Sequence, residues 1–159
     1  MRYLFEHPDR VVVGAHGEVG QRRFLLQVRQ GPQLVVVKVE KQQVVALAEW
    51  VVRVLDDLGR PGHLPEDVEL EPEYEADLEA GSITVALDSE AQVLTVSIEA
   101  REGDDLVEFS LSATWAAALA IEVTRLVTAG RPPCPLCGLP LDPRGHDCPR
   151  TNGHRAPLT

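Results

Sequence analysis

Aromatic, sulfur-bearing and basic side chains are all scarce in this chain of 159 residues. It has two tryptophans, two tyrosines, three phenylalanines, one methionine and three cysteines. A single-strand nucleic-acid binder stacks bases on aromatic platforms, and so few rings, most of them wanted for a core, are a poor supply. An odd cysteine count does not make a disulfide framework. Lys and Arg total 15 against 25 Asp and Glu, for a net charge of −10. The start, Met-Arg-Tyr-Leu-Phe-Glu-His-Pro, lacks the apolar region of a secretion signal. No stretch reaches the length of a membrane span. These absences point to a cytoplasmic protein with no membrane partner. The chain also has no Gly-rich phosphate loop, no G-x-S-x-G elbow and no H-E-x-x-H, so it names no catalytic residue.

What is present is concentrated near the C-terminus. Cys134, Cys137, His146 and Cys148 form C-x2-C-x8-H-x-C, and this set takes in every cysteine of the chain. Three thiolates and an imidazole suit a closed tetrahedral Zn²⁺ site, and four protein ligands leave no position for a catalytic water. Pro135 and Gly138 favour a tight knuckle whose backbone amides point at sulfur. The Pro- and Gly-rich stretch from Gly138 to Gly145 can turn back toward the metal. A redox C-x-x-C belongs at a helix start, and Pro-Leu-Cys-Gly-Leu-Pro is none. The expectation is a structural Zn²⁺ that supplies the folding energy of a small tail. His154 is a second candidate for the histidine position.

Charge divides the chain in the same place. Residues 1–130 hold 11 Lys/Arg and 23 Asp/Glu, a net of −12, whereas residues 131–159 hold Arg131, Arg144, Arg150 and Arg155 against Asp142 and Asp147, a net of +2. The expected organisation is one body, residues 1–130, and a zinc-binding tail, residues 131–159. An acidic body repels phosphate backbones. A protein partner is therefore expected, with nucleic acid disfavoured.

The body reads as two halves, about 1–59 and 73–130, around an acidic linker, 60–72. Residues 10–57 align with 82–129 at a constant shift of 72, with eleven of 48 pairs identical. The hydrophobic phase agrees as well. In each half three alternating runs predict strands with one buried and one wet face. Val11, Val13 and Ala15 match Ile83, Val85 and Leu87; Phe24, Leu26 and Val28 match Val96, Ile98 and Ala100; Val35, Val37 and Val39 match Val107, Phe109 and Leu111. Gly31 and Gly103 mark the same hairpin turn. An amphipathic helix follows, with Val44, Leu47, Ala48, Val51 and Leu55 matching Ala116, Leu119, Ala120, Val123 and Val127. Ser112 is the predicted cap of the second helix. Arg2–Glu6 and Tyr74–Leu78 are candidate first strands. The fold class is thus α+β, with an internally duplicated antiparallel βββα or ββββα unit and a small zinc knuckle. Two such units would pack on a shared pair of sheets, by analogy with tandem β4α binders of single-stranded nucleic acid.

Acids occupy every odd position from Asp67 to Glu79. That run reads either as a docking strip for a basic partner or as a solvated loop or edge strand kept soluble by charge. Arg22, Arg29 and Lys38 form a possible ligand face on the first-half sheet, and Arg144, Arg150 and Arg155 one on the tail. His7, His16 and His63 are isolated and read as loop residues.

Gly130-Arg-Pro-Pro-Cys-Pro-Leu-Cys-Gly-Leu-Pro-Leu-Asp-Pro and Gly145-His-Asp-Cys-Pro-Arg resemble the signature of a bacterial, mainly actinobacterial family, domain of unknown function 3090. Pro8-Asp9-Arg10, Gly20-Gln21-Arg22 and Glu40-Lys41-Gln42-Gln43 resemble it too. The resemblance implies a cytoplasmic setting, no assigned activity, and His146 rather than His154 as ligand. Neighbouring genes in that family imply a further alternative, an enzyme or accessory subunit acting on phosphorylated small molecules. The leading expectation is a non-enzymatic, zinc-containing binding or adaptor protein.

Overall fold

The structure, a computed structural model, describes residues 1–18, 20–55, 64–128, 132–141 and 148. Its elements run β1 (Arg2–Phe5), β2 (Arg10–His16), β3 (Arg23–Gln30), β4 (Gln33–Val39), α1 (Lys41–Val54), β5 (Leu78–Asp88), β6 (Val93–Ala100), β7 (Leu106–Ser112) and α2 (Ala113–Val127). The fold is α+β. The predicted order of three strands and a helix occurs twice, as β2–β4 with α1 and as β5–β7 with α2.

The seven strands make one sheet in the order β1-β7-β6-β5-β4-β3-β2, not a pair of sheets. Two antiparallel meanders, β2-β3-β4 and β5-β6-β7, are joined where β4 and β5 run parallel. That seam is short, with only Val37 opposite Leu78 and Lys38 opposite Glu79. β1 lies parallel to β7, in the other meander, with Tyr3 opposite Val107. β1 and β3 also meet, although four strands separate them in the sheet. The sheet therefore curls around the helices. Residues 74–77 are not a strand; β5 begins at Leu78, and a bulge between Ala80 and Ile83 separates its first residues from the long run that follows. Gly31 and Gly103 take φ of +58° and +85° in their hairpins, a region glycine occupies without a Cβ clash.

Helix ends follow local chemistry. Ser112 Oγ accepts from Trp115 N at 3.4 Å, as an N-cap should. The Gln43 side chain accepts from Glu40 N at 2.8 Å and donates to Gly81 O at 2.8 Å, tying the start of α1 to β5. In α2, Ala116 to Ile121 are all buried. A helix apolar all round is an enclosed helix, and α2 packs against α1, β2 and β7.

The inner sheet face carries Val11, Val13, Leu26, Val28, Val35 and Val37 from the first meander and Leu94, Val96, Ile98, Val107, Phe109 and Leu111 from the second. Val35 and Val107 are both fully buried. The expectation of one wet face holds for the second meander, where Thr84, Ser97 and Glu108 stand on the outer side, and fails for the first. There Val12, Leu25 and Val36 are buried on the outer side. Residues 67–77 lie across them as a strap, and Leu64, just before it, belongs to the inner cluster. Val68 is buried, and Leu70 packs so close to β2 that a Cβ on Gly14 would stand 2.5 Å from Leu70 Cγ.

Candidate metal centre

Residues 132–141 form a small knuckle. Pro133 and Pro140 make an antiparallel bridge. Cys134 N donates to Leu139 O at 2.7 Å, and Gly138 N donates to Cys134 O at 2.8 Å. Gly138 turns the chain at φ +80°, as the Cys-Gly pair predicts. Leu136 N points at Cys134 Sγ, 3.4 Å away. The knuckle thus presents Cys134 and Cys137 on one side.

Cys148 closes on them. The three Sγ atoms lie within 4.8 Å of one another, and Cys134 Sγ stands 3.9 Å from Cys148 Sγ. A tetrahedral ion with metal–sulfur bonds of about 2.3 Å separates its thiolates by about 3.8 Å. A disulfide needs about 2.05 Å, and none is formed. The three cysteines can therefore hold a metal ion as they stand. Burial pushes the Cys134 thiol up from its ordinary value, while the amides of Leu136 and Cys137 act the other way. A divalent cation held by the three sulfurs would reverse the effect of burial, because it would bind the thiolate form.

Cys134 is 3% exposed and Cys148 0%, and both belong to the same buried cluster as Leu141, α2 and the inner sheet face. The cluster of sulfurs is thus walled by core. His146, His154, Arg144, Arg150 and Arg155 lie outside the described residues.

The basic face of the first meander is engaged by the strap. Arg29 Nε is 2.8 Å from a Glu71 carboxylate oxygen. That pair holds the Glu71 carboxyl below its usual range and raises Arg29. Arg10 reaches Asp67 at 3.2 Å and Glu71 at 3.3 Å, and donates to Glu69 O at 2.7 Å. Lys38 lies 3.5 Å from Glu79. His16 stacks on Tyr74 with ring centroids 3.7 Å apart, and His7 N donates to Gln30 Oε1. Arg22 is exposed, and His63 lies outside the described residues. Gln27, only 2% exposed, joins the strap from the middle of β3. Its amide donates to Glu71 O at 3.1 Å and Glu73 O at 2.8 Å and accepts from Glu71 N at 2.7 Å. The acidic run thus docks on its own chain.

Sequence reasoning missed Gln27, because a polar residue alternating with apolar ones reads as solvent-facing. A usable signal lay beside it. Val11-Val12-Val13, Phe24-Leu25-Leu26 and Val35-Val36-Val37 are unbroken apolar runs, where the matching positions of the second half alternate; unbroken runs belong to strands covered on both faces.

No helix among the described residues is long and apolar enough to cross a membrane. No curated protein and no solved structure matches the chain. A family model does match, over residues 3–148, from the first strand to the last cysteine of the cluster. The chain belongs to the family described as a protein of unknown function, DUF3090.

Proposed function

We propose that the chain is a non-enzymatic binding or adaptor protein whose C-terminal knuckle is held by one structural Zn²⁺. The observation that carries the zinc reading is the trio of sulfurs within 4.8 Å, spaced for a tetrahedral thiolate site and walled by core. His146, two residues before Cys148, is the proposed fourth ligand. A soft sulfur-rich set with four protein ligands favours Zn²⁺ in a closed, structural role. A structural site leaves the protein's work to its surfaces, and the preferred partner is another protein. Arg10, Arg29 and Lys38 are paired with acids of the same chain, which weakens the first-half sheet as a phosphate-binding face.

Elemental analysis of protein purified without chelator tests this reading. One zinc per chain is expected, with loss of metal in Cys148→Ser and in His146→Ala. Metal-free protein with three freely titratable thiols would overturn it.

A further inference from the structure

β4 accompanies β5 for only two residue pairs and then turns into α1. Beyond Gly81, β5 runs on to Asp88 with β6 on one side. Among the described residues nothing pairs with its other edge. The outward groups can be assigned. Ala100 N donates to Asp105 O, toward β7, so the even residues of β6 bond β7 and the odd ones bond β5. Ser97 lies opposite Thr84 and Thr95 opposite Ala86. The N–H and C=O groups of Ile83, Val85 and Leu87 therefore point away from β6.

That edge opens into a cavity of about 520 Å³ whose far wall is α1, through Gln43, Ala46, Leu47, Trp50 and Arg53. Three consecutive β5 residues, Ile83, Thr84 and Val85, line it. Side chains alternate between faces, so consecutive lining residues mean that the backbone edge itself faces the cavity. The matching place in the other half is closed, because α2 packs against β2, whereas α1 stands off β5. Natural sheets blunt an open edge with charge, proline or a covering element. Ser82-Ile-Thr-Val-Ala-Leu-Asp88 carries neither charge nor proline until its last residue.

We infer that the slot between α1 and the free edge of β5 binds an extended peptide of a protein partner by strand addition. Main-chain bonds to Ile83, Val85 and Leu87 supply affinity, and alternate apolar side chains of the peptide fill the space between Val85 and Trp50. The slot selects a lone strand. It lies in the column of the sheet that β4 vacates, so a second copy of the chain would drive its own β6 into α1. Arg53 is the only charged residue of the lining, and among the described residues no acid pairs with it. It calls for an acidic residue or a C-terminal carboxylate at the Val85 end. The inference names the partner class for the binding role and is independent of the metal, so zinc content and peptide binding can fail separately.

The test uses the full chain and a fluorescein-labelled peptide of alternating valine and threonine that ends in aspartate. Anisotropy should rise on titration, and exchange of the Ile83, Val85 and Leu87 amides, fast in the protein alone, should slow with peptide. Ala46→Trp fills the slot from an exposed helix position and should weaken binding at least about tenfold, roughly 1.4 kcal/mol. Val85→Pro removes an outward N–H without touching the β6 ladder, a place where proline is tolerated, and should act likewise. Arg53→Glu should shift preference to a peptide ending in lysine. Three results would overturn the inference: no binding at millimolar peptide, slow exchange of those amides in peptide-free monomer, or a dimer that Ala46→Trp dissolves.

Discussion

Replacing Gln27 with leucine should release the strap while leaving the rest of the fold in place. Gln27 is buried, and its amide makes three hydrogen bonds, to Glu71 O, Glu73 O and Glu71 N. Leucine keeps most of the volume and has no polar atom, so three strap backbone groups lose their partners. A typical intramolecular hydrogen bond contributes about 0.5–1.5 kcal/mol net, giving about 3 kcal/mol for the set. The remaining attachments include the Arg10 contacts with Asp67, Glu69 and Glu71, the Arg29–Glu71 pair, the bond from Arg23 to Tyr74 O, the Asp77 bonds to Val36 (Asp77 N to Val36 O, and Val36 N to the Asp77 carboxylate) and the His16–Tyr74 stack. They do not bond the orphaned groups. The strap can meet water by lifting, so the loss should appear as local opening. About 3 kcal/mol is a little over two factors of ten in an opening equilibrium. Native-state hydrogen exchange of the Glu71, Glu73 and Asp77 amides should therefore accelerate about a hundredfold. Amides of β6 and β7 should keep their rates. Equal acceleration everywhere would make the strap part of one cooperative unit, and no acceleration would mean that Gln27 does not hold it.

Gly14→Ala places a Cβ 2.5 Å from Leu70 Cγ and should cost about 1–3 kcal/mol, read from the denaturant midpoint and the same strap amides. The Glu71 carboxyl titrates below its ordinary value because of Arg29. Its contribution is thus complete above the unfolded glutamate value and is lost as pH falls through the folded one. Strap exchange, corrected for intrinsic pH dependence, should rise as pH falls below the ordinary glutamate range; strap protection that stays unchanged down to full protonation of Glu71 would contradict this. Glu122 is raised by burial, so its ionisation opposes folding and acid relieves that cost. The two effects oppose each other in a global melt, and local exchange is the clean measurement. Ser112→Ala removes one long cap bond of 3.4 Å and should cost about 0.5–1 kcal/mol, seen as a small shift of the thermal midpoint.

The sequence by itself determined what short-range chemistry specifies. Period-two and period-3.6 patterns placed six of the strands and both helices, because each pattern reports which side of its own segment is buried. Ser112 and the turn glycines at 31 and 103 were legible because caps and turns are satisfied within a few residues. The C-x2-C knuckle was legible because its bonds close locally, within residues 132–141. The approach of Cys148 from eleven residues beyond Cys137 was inferable only because a metal has a fixed coordination demand. Partners distant in sequence were decided by the tertiary structure. Nothing in Arg2–Phe5 names β7, a hundred residues away, as its neighbour, since a short strand offers the same N–H and C=O groups to any edge. The acidic run could have faced solvent, a partner or its own chain. Only folding brought it over the apolar outer row of Val12, Leu25 and Val36, where each fully buried side chain contributes about 1.5–3 kcal/mol and where Arg10, Gln27 and Arg29 stood ready to receive it. The free edge of β5 is likewise a tertiary fact. It exists because β4 ends before β5 does, and the length mismatch of two strands that pair across the seam is written in neither strand alone.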